Sequence, residues 1–251
     1  MDPVAVSATG ASIVTSPTPL VGVTLGAVIL LRLVYSAGGK ILGMTFTGFG
    51  ADASGFLSGL AEDNTKTFFE AHRDEYIASI RQPLEDLLGE VQDTYGPGRV
   101  MRPNRDVRFS ADKSPYKTTA SMWAGDVGGV YLSLSATGLE VGGGLYAPSR
   151  DQLARARHAI DGQPLVAKHL GDILGELTRD DFEVAGPSLK TAPRGFDRDH
   201  PAIELLRLQH YAAVKRLPPG AAPDTIRATW TAVLPLITWC SKNVGAAISA
   251  S

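Results

Sequence analysis

The sequence predicts an α+β domain, in which a helical N-terminal part precedes a central antiparallel β-meander and C-terminal helices pack on the sheet. Three observations support this prediction. Apolar residues recur at helical spacing from residue 56 to residue 91. Two segments between residues 130 and 146 alternate between apolar and polar residues, as strands with one buried face do. Helical patterns then return after residue 149, so strands and helices do not alternate regularly as in a doubly wound fold.

Asp52 is the predicted N-cap of a first helix, and Asn64 is the predicted N-cap of a second. The apolar stripe of the second helix continues as far as Val91. Pro83 lies within this stripe, and it must either kink the helix or begin a new one. The Gly-Pro-Gly sequence at residues 96–98 then ends the helical part.

A β-hairpin is predicted next, with strands at residues 130–135 and 139–146 joined by a turn at residues 136–138. One face of this hairpin is apolar. The other face carries Tyr131, Ser133, Ser135, Glu140, Gly142, Gly144 and Tyr146. The glycines could serve strand twist or a close-packed helix, or they could leave a bare surface that a ligand approaches.

Several elements are predicted after the hairpin. Ser149 is the predicted N-cap of a helix, and the glycines before it could also place an anion at that helix N-terminus. Further helices are predicted at residues 164–177, 200–208 and 223–243, and short strands at residues 182–184 and 211–217. Pro235 is predicted to kink the last helix.

Composition limits the class of protein. Of the 251 residues, 44% are hydrophobic and 20% are charged, as in a globular rather than a disordered protein. The net charge of −2 gives no overall attraction to nucleic acid or acidic membranes, so a preference for anions must come from a local cluster. Cys240 is the single cysteine, which excludes an internal disulfide, and its apolar surroundings in the sequence indicate a core or subsurface thiol.

Residues 1–43 are interpreted as a leader outside the fold, and residues 44–251 as a single α+β domain. Residues 3–31 carry no charge, and the apolar run within them is shorter than the ~20 residues of a membrane-spanning helix. Three interpretations stay open: a translation start placed too far upstream of Met44, a single-span anchor, or an ordinary extension. We expect a cytoplasmic protein, with membrane contact only if residues 20–35 are a real anchor.

Several blocks of the sequence together resemble the family known as domain of unknown function 2461. The most specific block runs from Asn104 to Lys117 and reads NRDVRFSADKSPYK. The other blocks are Phe46–Phe49, Asn64 with Phe68, Phe69 and Tyr76, Gly142–Tyr146, Leu189–Lys190 with Pro193, Gly195–Phe196, and His200–Pro201. The resemblance extends from about Met44 to the C-terminus, which favours Met44 as the true start. Phe68 stands where members of the family usually have tryptophan. The resemblance implies no activity, so the function has to be argued from the residues.

A charged segment without helical period lies between Arg102 and Lys117. A short strand is predicted at Val107–Phe109, followed by turns at residues 110–115. The segment has a local net charge of +3 from five basic and two acidic residues: Arg102, Arg105, Arg108, Lys113, Lys117, Asp106 and Asp112. Arginine offers a planar fork for phosphate or carboxylate, and lysine offers a point charge. We therefore predict a binding site for a small anionic ligand.

The predicted ligand-binding residues are Asn104, Arg105, Arg108, Ser110, Asp112, Lys113, Lys117, Gly144 and Tyr146. Asp106 and Tyr116 are the predicted proton-transfer residues if the protein is an enzyme, a question that the sequence leaves open. No metal or nucleotide cofactor is predicted, because the five histidines lack metal-site spacing and no P-loop, GxSxG or GxGxxG motif is present.

Two other interpretations of the charged segment stay open. It could be a non-catalytic module for nucleic acid or a protein, which a flat surface would favour over an enclosed cleft. A pI near 6.2 and the lack of a known nucleic-acid motif count against nucleic acid. Alternatively, the segment could be an internal salt-bridge network that pins an irregular loop.

Overall fold

The computed structural model describes residues 45–108 and 111–247, and these residues form an α+β fold, as the sequence predicts. The N-terminal helices are α1 (Ala51–Glu62), α2 (Lys66–Ala71), α3 (Arg73–Tyr76) and α4 (Gln82–Tyr95), with a π-helical segment at Ile77–Arg81. The later helices are α5 (Arg150–Gly162), α6 (Pro164–Arg179), α7 (Ile203–Leu206), α8 (Pro223–Ala232) and α9 (Leu234–Asn243).

The strands form one antiparallel sheet. They are β1 (Gly98–Val100), β2 (Thr119–Gly125), β3 (Gly129–Ser135), β4 (Leu139–Leu145), β5 (Glu183–Val184) and β6 (Tyr211–Leu217). Their order across the sheet is β1-β2-β3-β4-β6-β5, and every neighbouring pair is antiparallel. The predicted hairpin is confirmed as β3 and β4, with Leu134 opposite Leu139 next to the turn.

The helices cover one side of this sheet. Leu84 and Leu87 of α4 and Trp230 of α8 share an apolar cluster with strand residues such as Leu132. Side chains of α5, α6 and α9 form a second cluster with Leu145, Tyr211 and Ala213. The strand residues of both clusters lie on the same side, because side chains alternate along each strand.

We call the other side of the sheet the open side. Its side chains come from the alternate strand positions, which belong to neither apolar cluster. They are Arg99, Ser121, Trp123, Tyr131, Ser133, Glu140, Val214 and Arg216. No helix within residues 45–108 and 111–247 packs on this side, and antiparallel sheets commonly have one packed face and one polar face.

Gly143 accounts for the close approach of the C-terminal helices to β4. A Cβ atom there would lie 2.8 Å from Val233 Cγ2 and 3.3 Å from Ile237 Cδ1, both on the helix-covered side. The close-packed-helix interpretation of the hairpin glycines therefore holds at this position. Gly144 has a φ of +120°, and a Cβ atom there would lie 2.3 Å from the Tyr211 carbonyl oxygen, so only glycine fits.

The predicted N-caps of the first two helices are wrong. Gly50 is the N-cap of α1, and Asp52 lies in its first turn, where its charge favours the helix dipole. Thr65 is the N-cap of α2, and its side chain accepts a hydrogen bond from the Phe68 amide. Asn64 precedes this N-cap by one residue, and its side chain instead forms hydrogen bonds with the backbone of Tyr116, which are described below.

Pro83 follows a π-helical turn within one continuous stretch of helix. Tyr76, Arg81 and Gln82 all have right-handed helical φ and ψ, so the segment Ile77–Arg81 passes directly into α4, and Pro83 lies in the first turn after it. Pro235 lies in the first turn of α9, and the predicted long C-terminal helix is divided there into α8 and α9. The predicted cap at Ser149 is confirmed, because its hydroxyl accepts from the Gln152 amide in a capping box.

The predicted strand at Val107–Phe109 is wrong, since neither of its described residues, Val107 and Arg108, is in a strand. The ordered strands on either side, β1 and β2, were not predicted. Residues 200–208 are helical only at α7.

The interpretations of residues 1–43 fall outside the described residues. Within the described part of the chain, no helix combines the length and apolar character that crossing a bilayer requires.

Candidate anion-binding surface

The charged segment forms the connection between β1 and β2, and we call residues 101–118 the charged loop. Its base continues the ladder of these two strands. The Met101 amide donates to the Ser121 carbonyl at 2.8 Å, Arg105 N donates to Pro115 O at 2.8 Å, and Lys117 N donates to Pro103 O at 2.9 Å. Asn104 and Tyr116 form an isolated antiparallel bridge between these bonds. The bridge is offset by two residues from the β1–β2 register, which would place Thr118 opposite Asn104, so backbone hydrogen bonds hold the base of the loop beyond a shift in pairing.

Tyr116 fixes the loop to the helical part. The Asn64 side-chain amide donates to the Tyr116 carbonyl at 3.1 Å, and its oxygen accepts from the Tyr116 amide at 3.0 Å. The Tyr116 ring is 6% exposed and stacks on Phe69 with 4.2 Å between ring centroids. Tyr116, a predicted proton-transfer residue, is therefore placed in the apolar core.

Two ion pairs order the tip of the loop. Arg105 pairs with Asp112, whose carboxylate also accepts from the Ser114 amide at 2.9 Å. Arg108 binds Asp106 through two nitrogens, at 3.0 and 2.7 Å. The hydrogen bonds from Arg108 lower the pKa of Asp106, which makes this carboxylate a weaker base.

The lysines of the loop bind neutral groups. Lys113 Nζ donates to the Val107 carbonyl at 3.0 Å, and Lys117 Nζ donates to the Arg102 carbonyl at 3.3 Å. Within residues 45–108 and 111–247, no carboxylate lies within 4.0 Å of Arg102, Lys113 or Lys117. The two ion pairs cancel within themselves, so these three residues supply the excess positive charge of the loop.

The β1–β2 ladder places one cationic side chain on the open side of the sheet, and alternation about the Asn104–Tyr116 bridge assigns two more to it. Arg99 is directly opposite Trp123 in the β1–β2 ladder. Tyr116 points into the core from the covered side, so its neighbour Lys117 points the other way, because side chains alternate in extended backbone. The same alternation from Asn104 places Arg105 on the open side.

A small cavity of about 230 Å³ lies on the open side beside the first residue after the loop. It is lined by the hydroxyl residues Thr119, Ser133 and Ser135 and by the charged residues Glu140 and Arg216. Arg216 also pairs with Glu183 at 3.1 Å. The cavity is smaller than the ~300 Å³ of typical drug-sized pockets, so it would accommodate a single small group such as a phosphate.

The structure does not bring Gly144 and Tyr146 to the charged loop. Gly144 is opposite Gly129, which pairs with Gly125 at one end of β2, whereas the loop joins the other end at Thr119. Six residues of strand separate these ends, which corresponds to about 20 Å. Tyr146 is 62% exposed and lies against His210. Ser110, another predicted ligand-binding residue, falls outside the described residues.

The other predicted ligand-binding residues, from Asn104 to Lys117, do lie together in the charged loop. Two further residues of the same side of the sheet, Arg99 and Trp123, were not predicted, because β1 and β2 were not predicted. The alternation of Trp123 with the buried Met122 and Ala124 is the signal that could have identified its exposed side.

A second cavity of about 460 Å³ lies between α5, α6 and the segment around α7. His200 Nδ1 accepts from the Ala202 amide at 3.0 Å, so the ring proton is on Nε2, which lies 3.4 Å from the Asp161 carboxylate. Asp172 and Glu204 add acidic groups to the lining. This cavity is therefore unsuited to an anion, and the part of the chain described here holds no group of three residues that could bind a metal ion.

The fold and this surface define an α+β protein whose antiparallel sheet is covered by helices on one side and carries a basic loop beside its open side. The chain matches the family described as conserved hypothetical protein (DUF2461) over residues 52–239, and it belongs to that family. No curated protein and no solved structure matches the chain.

Proposed function

We propose that this protein binds a phosphate-bearing anion on the open side of its sheet, next to the charged loop. One observation carries the proposal: side-chain alternation at the base of the loop assigns Arg105 and Lys117 to the side of the sheet that no described helix covers, next to the cavity at Thr119. Arginine and lysine are the side chains that hold phosphate best, through charge-assisted hydrogen bonds.

The ion pairs within the loop favour this function because they position the cations. Asp112 holds Arg105 in place, and only part of the hydrogen-bonding capacity of a guanidinium is needed for one carboxylate. The hydroxyls of Thr119, Ser133 and Ser135 add neutral donors in the neighbouring cavity. A phosphate could accept hydrogen bonds from both groups of donors.

The proposal is for binding rather than for a reaction. Tyr116 is buried against Phe69, and the Asp106 carboxylate is engaged by Arg108. The lowered pKa of Asp106 makes it a poor proton acceptor near neutral pH. Neither predicted proton-transfer residue is thus placed to act on a ligand on the open side.

Lys117→Gln is the sharpest test, because it removes a charge without breaking an ion pair. Binding of inorganic phosphate, nucleotides and a short single-stranded oligonucleotide would be measured by calorimetry on the full chain. We expect affinity for the bound ligand to fall about tenfold or more, which is the effect of losing one charged hydrogen bond.

Lys242→Gln is the matched control, since Lys242 is an exposed lysine in the last turn of α9, a helix on the covered side, and forms no ion pair with another described residue. It should leave the affinity unchanged. Equal affinity in wild type and Lys117→Gln, with both proteins folded, would overturn the proposal. A loss in Lys242→Gln as large as in Lys117→Gln would also overturn it, because it would show attraction to net charge alone.

A further inference from the structure

The centre of the open side carries two aromatic rings. Trp123 of β2 is directly opposite Tyr131 of β3, so the two residues stand side by side on the sheet. Both are partly exposed, and neither packs against the apolar clusters that bury their neighbours on each strand. A tryptophan and a tyrosine outside the core form a flat apolar platform on an otherwise polar surface.

The positions beside this platform differ in charge and exposure. Arg99 is opposite Trp123 on β1, is exposed, and brings a cation to one edge of the row. Gly142 is opposite Tyr131 on β4 and is buried against β6, since a Cβ atom there would lie 2.1 Å from the Ala213 carbonyl oxygen. A planar group that lies on the aromatic rings would therefore have a cation on the Trp123 flank.

The same side of the sheet joins this platform to the phosphate site. Lys117 lies six residues before Trp123, a separation of about 20 Å along extended chain. A single small ligand cannot contact both residues. An elongated partner with repeating phosphates and planar rings could contact both, and the polar side chains of Ser133 and Glu140 lie between the two regions.

We propose that the partner is a single-stranded nucleic acid, whose bases stack on Trp123 and Tyr131 while its backbone phosphates bind Arg99, Arg105 and Lys117. The inference rests on the function proposed above and specifies its ligand. Stacking on protein aromatic rings needs unpaired bases, so a duplex should bind far more weakly than a single strand. Base-independent stacking and backbone contacts also imply little sequence preference.

The salt dependence of the binding affinity measures how many phosphates of the nucleic-acid backbone are contacted. Each neutralised phosphate of a single strand contributes about −0.7 to the slope of log affinity against log salt. Three contacting cations on the open side would give a slope of about −2. The chain as a whole has a net charge of −2, which adds no long-range attraction to this slope.

Tryptophan fluorescence provides the direct test. The chain has three tryptophans, and Trp230 and Trp239 are buried, at 0% and 1% exposure. Trp123 is partly exposed, so a base stacked on it should quench the fluorescence of the full-length protein. The titration would use a short oligothymidylate, with the matching duplex, heparin and inorganic phosphate as comparison ligands.

Trp123→Ala should weaken oligothymidylate binding about tenfold or more, which is the usual effect of removing one stacking platform. Binding by this variant would be followed by calorimetry, since its reporter is lost. Trp123→Phe keeps an aromatic ring and should retain most of the affinity, which separates stacking from a loss of folding. Melting temperatures of both variants would show that they are folded.

The outcomes separate the two proposals. Weaker binding in both Trp123→Ala and Lys117→Gln supports both. Weaker binding in Lys117→Gln alone, with heparin or phosphate bound as well as the oligonucleotide, overturns the nucleic-acid inference and keeps the anion site. Equal affinity for duplex and single strand also overturns the inference. No binding of the oligonucleotide, phosphate or heparin, in a folded protein, overturns both proposals.

Discussion

Asn64 and Tyr116 exchange two hydrogen bonds across 52 residues of sequence, with both the amide and the carbonyl of Tyr116 satisfied by one side chain. The two hydrogen bonds resemble those between neighbouring strands, although Asn64 is not in a strand. It ties the charged loop to the turn between α1 and α2, so the stability of the loop base depends on a residue in the helical part.

Asn64→Ala should therefore destabilise the protein. It leaves two partly buried backbone groups of Tyr116 without partners, and we expect the free energy of unfolding to fall by about 2 kcal/mol. Urea unfolding followed by circular dichroism would measure the change. Asn64→Asp keeps the acceptor for the Tyr116 amide and loses the donor, so its loss should be intermediate. A loss below about 0.5 kcal/mol in Asn64→Ala would contradict the clamp.

Gly143→Ala should destabilise the packing of the C-terminal helices on β4. The added methyl group would lie 2.7 Å from the Gly129 carbonyl oxygen and 2.8 Å from Val233 Cγ2, so the helices must shift. Overpacking of this kind costs about 1–3 kcal/mol of unfolding free energy. Thermal and urea unfolding would measure it.

Gly175→Ala is the matched comparison for Gly143→Ala. Gly175 lies within α6, and a Cβ atom there would have no other atom within 4 Å. Alanine is a better helix former than glycine, so this variant should gain about 0.5–1 kcal/mol. If both variants changed stability in the same direction, crowding at Gly143 would not be the cause.

Tyr211→Phe should be neutral or stabilising. The Tyr211 hydroxyl is buried and has no hydrogen-bond partner among the described residues, and burial raises the pKa of this phenol. Removing an unsatisfied polar atom recovers its desolvation cost, about 1 kcal/mol in favourable cases. A loss of more than about 1 kcal/mol in urea unfolding would instead indicate a partner such as a bound water molecule.

We expect Cys240 to be unreactive towards thiol reagents in the folded protein. Its side chain is fully buried, and burial raises the pKa of the thiol from 9.0 to about 12. The reactive thiolate is therefore scarce at neutral pH. A thiol reagent should label the native protein only as fast as the protein unfolds, and full labelling in urea is the control. Rapid labelling under native conditions would contradict the burial.

The same thiol makes stability depend on pH in alkaline solution. The unfolded chain loses the Cys240 proton near pH 9, whereas the folded chain keeps it until about pH 12. The unfolded state then binds fewer protons, so the free energy of unfolding should fall as pH rises through this window. Cys240→Ala should show a shallower fall over the same window, whatever its stability at neutral pH. Equal slopes for wild type and variant would contradict this coupling.

The parts of the fold that were predictable carry strong local patterns. β3 alternates over its whole length and β4 does so from Leu139 to Val141, so the buried side of the hairpin could be predicted from the sequence. β2 was missed because its sequence, TASMWAG, contains small residues that bury on both sides, and its alternation is reduced to Met122, Trp123 and Ala124. β1 has three residues, too few for any period to appear.

The geometry of the charged loop was not predictable for a different reason. Its charge excess is visible in the sequence, but the residues that fix its shape are not. Asn64 is distant in the sequence, and the ion pairs within the loop do not follow from the spacing of the charges. Asn64 reads as a helix cap, and nothing near it in sequence indicates a contact with Tyr116. The position of Lys117 on the open side follows from strand pairing, which depends on register rather than on composition.

The two outermost strands of the sheet, β1 and β5, are also its shortest, with three and two residues. Exposed strand edges invite pairing with another polypeptide, and short edges are one way in which proteins prevent such aggregation. Each of these two edge strands therefore offers few unpaired backbone groups. A polypeptide that paired with β1 or β5 would gain few main-chain hydrogen bonds, so recognition there would depend on side chains.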